Sequence, residues 1–157
     1  MKNRPRVSPA IDPRFAPFAL KVLRSRIQGW GVYAARSIPA HRKVIEYTGE
    51  RLTFGQARRR LIQLCRNPRT RRLSIFRLNR YWRIDGAFGG SGAEFINHSC
   101  EPNLKVRRIR GHILLFSLRR IREKEELTFD YRLSPNTFKI ACRCGSPRCR
   151  KTLNFFG

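Results

Sequence analysis

The chain has 157 residues, 41% of them hydrophobic, which is enough to bury one core and excludes an intrinsically disordered protein. Its 35 Lys and Arg residues against 10 Asp and Glu give a formal charge of +25. Such a charge favours binding to nucleic acid, nucleosomes or other polyanions. The alternative is that Arg is spread over a solvated surface that has no nucleic-acid target.

The first residues of the chain contain four prolines and alternating charges, which predicts an extended arm over residues 1–18. Residues 1–10 lack the apolar stretch of a signal peptide, and no apolar run elsewhere approaches membrane-spanning length. We therefore expect an intracellular protein with no membrane contact. It would be nuclear if its source is eukaryotic and cytoplasmic if its source is bacterial.

Short β-like runs, separated by Gly and Pro, follow the arm and predict strands. Their irregular spacing favours several small sheets over one continuous sheet. The predicted strands cover residues 19–23, 31–35, 43–47, 80–85, 105–109 and 112–118.

One helix is predicted after the third of these runs. Thr53 can cap it, and Gln56 has the spacing of a capping box. The apolar face of this helix would contain Phe54, Ala57, Leu61, Leu64 and Cys65. The Arg side chains at positions 58–60 and 66 would face water, and the dipeptide at 67–68 would end the helix.

The chain contains five cysteines, and in a protein expected to be intracellular they favour a metal site or catalysis over disulfides. Cys142, Cys144 and Cys149 have a C-x-C-x4-C spacing across a Gly-Ser-Pro turn, so their thiolates can converge on one tetrahedral zinc. Cys100 is the candidate for the fourth ligand, since Cys65 is expected to be a small core residue of the helix. The C-terminal segment has little apolar periodicity, so metal binding is expected to order it.

Three further segments suit either a binding site or ordinary structure. The pair Asn97 and His98 could be a hydrogen-bonded loop staple, and the two glycines of 29–32 could serve a tight β-turn or a close approach of the backbone to a ligand. Tyr131 ends the strand-like run 126–131 and could be a core residue with a satisfied hydroxyl. From the residues alone, these alternatives stay open.

Taken in chain order, the segments resemble the SET-domain family of protein lysine methyltransferases over residues 20 to 157. The matching segments are 29–32, 46–50, 81–86, the F-I-N-H-S-C-E-P-N string at 95–103, the E-L-T-F-D-Y string at 126–131, and the cysteine tail with Leu153 and Asn154. The resemblance implies a mostly β fold of several small curved sheets with one inserted helix and a knot-like threading of the C-terminal part. It places a SET domain at 19–134 and a zinc-bound post-SET tail at 135–157.

For function, the resemblance implies an enzyme that transfers a methyl group from S-adenosylmethionine to a protein lysine and releases S-adenosylhomocysteine. The substrate would be a histone or another basic protein, and the zinc would be structural. The alternative is a catalytically weak or silent SET module that binds nucleic acid or nucleosomes through its basic surface.

The resemblance also implies which residues contact the cofactor. The backbone around Trp30 would hold the methionine end, Asn97 and His98 would lie beneath the threaded Tyr131 strand, and residues 153–156 would close the adenine side. The expected cofactor-binding residues are Gly29, Trp30, Gly31, Phe95, Asn97, His98, Tyr131, Leu153 and Asn154.

The target lysine would enter an apolar aromatic channel, where Tyr131 and Tyr47 are the expected catalytic residues. The channel candidates are Tyr47, Trp82, Phe129 and Tyr131. The lysine must arrive neutral, which at pH 7 costs about 4–5 kcal/mol from a pKa near 10.4, and an apolar channel lowers that pKa. Phe129 stands where members that form higher methylation states often carry Phe, so di- or trimethyllysine is expected.

Three positions depart from the family's pattern. Glu94 stands where Arg is usual, Ser91 where Asn is usual and Trp82 where Tyr is common. Glu94 would face the acids that precede the L-T-F-D-Y string, and an uncompensated pair of buried carboxylates is costly. We therefore expect Glu94 to pair with Lys124 or with a nearby Arg.

Overall fold

The computed structural model of this chain describes residues 9–66, 73–135 and 139–156, without the side chains of residues 65 and 66. In these ranges the protein is mostly β, with one α-helix and three small sheets, so the expected fold class is confirmed. No helix within the same ranges is long and apolar enough to cross a membrane. The strands are β1 (Leu20–Arg24), β2 (Trp30–Ala34), β3 (Lys43–Tyr47), β4 (Glu50–Thr53), β5 (Ile75–Arg77), β6 (Trp82–Asp85), β7 (Asn97–His98), β8 (Leu104–Ile109), β9 (His112–Ser117) and β10 (Thr128–Phe129), and the helix α1 is Phe54–Arg66.

All six predicted strands are present, each with its ends within two residues of the predicted ones. The strands that the sequence did not predict are β4, β5 and β7, whereas β10 lies within the strand-like run 126–131. These runs of two to four residues are too short to show a readable alternation. They are strands because of the partners against which they lie.

The five-stranded sheet positions the site. Its order is β3-β9-β8-β10-β7, and β10 runs parallel to both of its neighbours. Phe129 of β10 lies opposite His98 of β7 on one side and Leu104 of β8 on the other. A late segment of the chain is therefore threaded between two earlier ones. The other sheets are the antiparallel pair β1-β2 and the three-stranded β4-β6-β5.

Buried and more exposed side chains alternate along the strands, and the buried ones form one hydrophobic core. In β9, Ile113 and Leu115 are fully buried while Leu114 between them is only partly buried. Val44 and Ile45 are consecutive and both fully buried, at the point where the register between β3 and β9 shifts. Burying one such side chain stabilises the fold by about 1.5–3 kcal/mol relative to leaving it in water. This core holds the strands whose ends carry the site.

Helix α1 begins at the predicted capping box. The N–H of Thr53 donates to Gln56 Oε1 at 2.8 Å, and the N–H of Gln56 donates to Thr53 Oγ1 at 3.3 Å. Phe54, which was expected on the apolar face, is 59% exposed, because its ring lies under the Arg83 guanidinium at 5.3 Å instead of against the core. Cys65 was predicted to be a core residue of this helix. Its side chain is not among those that the structure describes.

The described part of the predicted arm is attached to the domain. Pro13–Phe15 form a 3-10 turn, and the N–H of Asp12 donates to the carbonyl of Ser91 at 2.9 Å. Ile11 and Phe18 pack against the core. The Pro-rich, charged composition of this segment hid its few apolar anchors from sequence analysis.

Candidate functional site

Four cysteine side chains converge where the tail meets the body of the domain. Cys100 follows β7, the other three come from the tail, and all four sulfurs lie within 4.8 Å of one another. Four thiolates at this separation are the donor set of a structural tetrahedral zinc. Burial raises the pKa of the Cys100 and Cys142 thiols, an effect that a bound cation would reverse. The structure thus brings together the four predicted ligands Cys100, Cys142, Cys144 and Cys149.

Arg150 fastens this tail to the body of the domain. Its guanidinium donates to both carboxylate oxygens of Asp130, at 2.6 and 2.9 Å, and its backbone N–H donates to Cys100 Sγ at 3.4 Å. Although burial opposes ionisation of Asp130, hydrogen bonds from Arg150 lower the pKa of that carboxyl. Because a bidentate pair fixes both partners, it holds the tail beside Tyr131.

The end of the tail folds back on the domain through Leu153 and Asn154. The Asn154 side chain accepts from the N–H of Ile140 at 3.1 Å and donates to the carbonyl of Ser134 at 2.9 Å. The carbonyl of Leu153 accepts from the N–H of Leu133 at 3.2 Å. Both predicted residues are buried, and the Asn154 side chain fixes the path of the tail.

Asn97 connects the centre of the domain with the loop that precedes β2. Its Nδ2 donates to the carbonyl of Trp30 at 2.9 Å and to Glu126 Oε1 at 2.8 Å. The Glu126 carboxylate also accepts from the hydroxyls of Ser25 and Tyr33, at 2.7 and 2.9 Å. This network brings three predicted cofactor segments, around residues 30, 97 and 126–131, into one place.

The two glycines beside Trp30 serve different purposes. A Cβ on Gly31 would stand 2.2 Å from Glu126 Oε1, so this glycine makes room for the carboxylate. Gly29 has φ +51°, and nothing lies within 4 Å of where its Cβ would stand. Of the two positions, Gly29 is the one at which a ligand can reach the backbone.

Four aromatic rings pack in series between β3 and β10. The Tyr47 and Phe76 ring centroids are 5.1 Å apart, Phe76 stacks on Phe129 at 5.4 Å, and Phe129 contacts Tyr131 at 4.8 Å. Three of these rings are predicted channel residues. Phe76, of β5, was not predicted.

Tyr131 is held at two points. Its N–H donates to His98 Nδ1 at 3.1 Å, and its hydroxyl donates to the carbonyl of Ile96 at 2.8 Å. Burial lowers the pKa of His98 to about 4, so the imidazole is neutral at pH 7 and its Nδ1 can accept. The phenol proton is donated to the carbonyl of Ile96, and a phenol oxygen that donates its proton keeps the chemical ability to accept a hydrogen bond.

The last two predicted site residues lie at the outer end of a strand and in the core. Trp82 begins β6 opposite Thr53, is 39% exposed, and makes no ring contact with Tyr47, Phe129 or Tyr131 within the described chain. Its distance from the cluster follows from its position at the outer end of the strand. Phe95 is 3% exposed and packs in the core.

A buried carboxylate links α1 to Tyr47. Asp85 has a side chain that is 0% exposed, and it accepts from Arg60 Nη1 at 2.8 Å and from the Ser74 hydroxyl at 2.7 Å. The carbonyl of Ser74 in turn accepts from the Tyr47 hydroxyl at 2.5 Å. The prediction that Arg60 faces water is therefore wrong, because this guanidinium reaches back over the helix to Asp85 and also to Glu50.

Replacing Arg60 by Ala is expected to lower the free energy of unfolding by about 3 kcal/mol, because Asp85 would keep a buried charge without its cation. The loss should fall at the low end of the range for buried pairs, since Arg60 is 26% exposed. Denaturant titration measures it, with Arg59→Ala on the exposed face of the same helix as the control. Equal stabilities of the two variants would contradict this role of Arg60.

The departures at positions 91 and 94 have structural explanations. The Ser91 hydroxyl donates to the carbonyl of Glu46 at 2.5 Å. Glu94 is 4% exposed, and its Oε2 accepts from the N–H of Gly92 at 2.9 Å. Of the two partners expected for Glu94, Lys124 does not pair with it among the described residues, and the alternative, a nearby Arg, stays a prediction. Lys124 occupies a turn with φ 64° instead.

Several residues that hold the site were not predicted from the sequence. Phe76 could have been found only from its neighbours, because an aromatic residue in a short strand is unremarkable by itself. Glu126 and Arg150 lie inside or beside recognised motifs, but their partners are distant in sequence. Their roles become visible once β10 is placed between β7 and β8.

Comparisons with known proteins agree with this geometry. The family model described as "SET domain" matches residues 29–132. Histone-lysine N-methyltransferase trithorax of Drosophila virilis is 45% identical over 139 residues, which are 85% of this chain and 4% of that protein. Human histone-lysine N-methyltransferase 2D is 39% identical over 137 residues, 83% of this chain and 2% of that protein.

A solved structure shares the fold as well. It is described as KRYPTONITE in complex with mCHG DNA and SAH, and it has a TM-score of 0.71 and 32% identity over 88% of this chain and 29% of that chain. The chain thus spans only a small part of each of these relatives. Since the matched segment contains the threaded β10, the aromatic cluster and Cys100, the shared part includes the site itself, and the chain belongs to the SET domain family.

Proposed function

We propose that the chain is an S-adenosylmethionine-dependent protein lysine methyltransferase. The observation that carries this proposal is the Tyr131 hydroxyl, which is fixed on the carbonyl of Ile96 at the end of an aromatic cluster and close to the Asn97 network. The names of the relatives, histone-lysine methyltransferases, support a histone or another basic protein as substrate. They also support a nuclear location.

The cofactor would lie along the loop at residues 28–31. Gly29 leaves its backbone open to a ligand, and Asn97 holds the carbonyl of Trp30 in place. Leu153 and the residues after it would close the other side, next to Tyr131. When bound, the cofactor supplies an electrophilic methyl group on a sulfonium. The solved neighbour described as a complex with SAH supports this assignment.

The chain's contribution to the chemistry would be alignment and deprotonation. An apolar channel formed by Tyr47, Phe76, Phe129 and Tyr131 disfavours the charged form of a lysine and so lowers its pKa. The Tyr131 oxygen would accept a hydrogen bond from the amine and orient its lone pair. Holding the reacting atoms in line is the main source of acceleration in such a displacement.

Zinc would order the tail and take no part in the reaction. Cys100, Cys142, Cys144 and Cys149 would hold it, and the ion would supply a closed tetrahedral centre. This centre joins the tail to β7, and Arg150 joins it to Asp130. A correctly placed Leu153 depends on both links.

Phe129 is expected to permit di- or trimethylation. Its ring lies between Phe76 and Tyr131 and presents no hydroxyl that could hold a water in the space needed by a methylated amine. The Phe129→Tyr variant should shift the products towards monomethyllysine. Mass spectrometry of the products at long reaction times measures this. Products of the parent that stop at monomethyllysine would contradict the expectation.

A basic SET module that binds nucleic acid or nucleosomes without catalysis is the second candidate, supported by the formal charge of +25. Calorimetric titration of the zinc-loaded chain with S-adenosylhomocysteine separates the two. We expect one cofactor bound per chain, and weaker binding after Asn97→Ala because the loop at residues 28–31 loses its anchor. Absence of cofactor binding would favour the silent module. Nucleic-acid binding by an active enzyme is compatible with the first candidate.

A further inference from the structure

Three guanidinium groups meet where the edge of the three-stranded sheet lies against the end of β8. Arg77 of the edge strand β5 and Arg83 of β6 are direct cross-strand partners. Arg108 of β8 donates from its Nε to the carbonyl of Arg77 at 2.8 Å. Arg77 and Arg108 are exposed, and Arg83 is partly buried. We call these three residues the arginine cluster.

The arginine cluster is not neutralised within the protein. All ten Asp and Glu side chains of the chain belong to the described ranges. Across those ranges, the Arg side chains that pair with carboxylates are Arg14, Arg60, Arg119, Arg132, Arg148 and Arg150. No such pair includes a member of the cluster, so within the described ranges these cations have backbone carbonyl acceptors but no carboxylate counter-charge.

The cluster is costly to the fold and yet well ordered. Like charges directly opposite each other on neighbouring strands are destabilising. Partial burial, together with the charge of Arg77, lowers the pKa of Arg83. Nevertheless the Arg83 Nη1 donates to the carbonyl of Asn79 at 2.8 Å, and Arg108 lies over the Phe76 ring at 5.5 Å. Cations held in place against their mutual repulsion are preorganised for an anion.

We propose that the arginine cluster binds the phosphate backbone of nucleic acid. Planar guanidinium groups match phosphate oxygens in pairs, and seven of the chain's 35 cationic residues are Lys, so its charge is carried mainly by such groups. Exposed rings lie near the cluster, one of them under the Arg83 guanidinium at 5.3 Å and two directly before Arg83 in the chain, and they can stack on bases. These are Phe54 at 59%, Tyr81 at 59% and Trp82 at 39% exposure.

An acidic protein segment would satisfy the guanidinium groups but would leave these rings unused, so nucleic acid is favoured. The inference rests on the nucleic-acid partner considered above, and it assigns that partner to one surface. It does not depend on methyl transfer, because Arg77 and Arg83 have no part in the proposed catalytic machinery.

The test uses the zinc-loaded full chain and fluorescence anisotropy with a short DNA duplex and a single strand of the same length. The variant Arg77→Gln/Arg83→Gln is compared with Arg36→Gln/Arg143→Gln, which removes the same charge at two exposed sites elsewhere. We expect only the first variant to lose affinity clearly. Its plot of log K against log salt should become shallower by about 0.9 per lost contact on the duplex and about 0.7 on the single strand.

A measurement of thermal stability distinguishes the loss of a DNA contact from damage to the fold. Arg77→Gln alone relieves repulsion in the β5–β6 pair, so its melting midpoint should equal or exceed that of the parent while its DNA binding is weaker. Equal binding by the two double variants would overturn the proposal. Equal losses of binding to DNA and to polyglutamate would assign the cluster to acidic proteins instead. Methyl transfer to a free peptide, unchanged in both double variants, reports separately on the proposed enzyme.

Discussion

Replacing Tyr131 by Phe is expected to lower kcat at least about 100-fold and to leave cofactor affinity within about threefold of the parent. In the proposed mechanism the phenol oxygen lies at the reacting centre, and the hydroxyl donates its proton to the carbonyl of Ile96. Phe keeps the ring contacts with Phe129 and His98 but cannot accept a hydrogen bond from the amine. The loss should therefore appear in kcat and hardly in cofactor binding.

The control for this variant is Tyr81→Phe, because Tyr81 is 59% exposed and lies outside the aromatic cluster. Removing the Tyr131 hydroxyl also deletes one hydrogen bond, which costs about 0.5–1.5 kcal/mol of stability. Thermal melting of both variants shows whether the fold survives. Near-normal kcat in Tyr131→Phe would remove this hydroxyl from the mechanism.

The second large effect is expected when one zinc ligand is removed. In Cys142→Ser we expect the chain to lose its zinc, the segment 139–156 to become sensitive to protease, and methyl transfer to fall below detection. Structural zinc contributes about 10–16 kcal/mol in small zinc-binding peptides. The other anchors of the tail are polar contacts, among them Arg150 with Asp130, Arg148 with Glu101 and the buried Asn154. Without the metal, Leu153 would not stay in position beside Tyr131.

Arg143→Ser is the matched control for the zinc ligand, since Arg143 is exposed and lies between two of the cysteines. Metal analysis of the purified proteins should give one zinc per chain for the parent and the control, and none for Cys142→Ser. Treatment of the parent with a strong chelator should reproduce the variant. One zinc per chain in Cys142→Ser, or full activity after complete metal removal, would contradict the assignment.

The sequence predicted well those parts of the fold and site that depend on residues close together in the chain. The capping box at Thr53 is decided by two residues three positions apart, and it forms as expected. The tail cysteines lie within eight positions of one another, so their spacing nearly dictates their convergence. The motif around Asn97 and the segment ending in Tyr131 are similarly compact, and the structure brings both to one place.

The features that sequence analysis missed depend on contacts between distant segments. Arg60 looked solvent-facing because nothing near it in the chain is acidic, yet its buried partner Asp85 lies 25 positions away. Trp82 matched a family position but stands at the outer end of β6, and Phe76 of the neighbouring strand fills the cluster. In one short strand, the alternation of apolar and polar residues cannot show which end of the strand faces the site.

The central claim is that this chain moves a methyl group onto a protein lysine, and one measurement tests it directly. The zinc-loaded chain is incubated with S-adenosylmethionine carrying a labelled methyl group and with core histones and free histone-tail peptides. Mass spectrometry then locates the label. The account predicts label on lysine Nζ, in states beyond monomethyl, and none with Tyr131→Phe. Tight cofactor binding without label on any lysine, or label on another side chain, would contradict it.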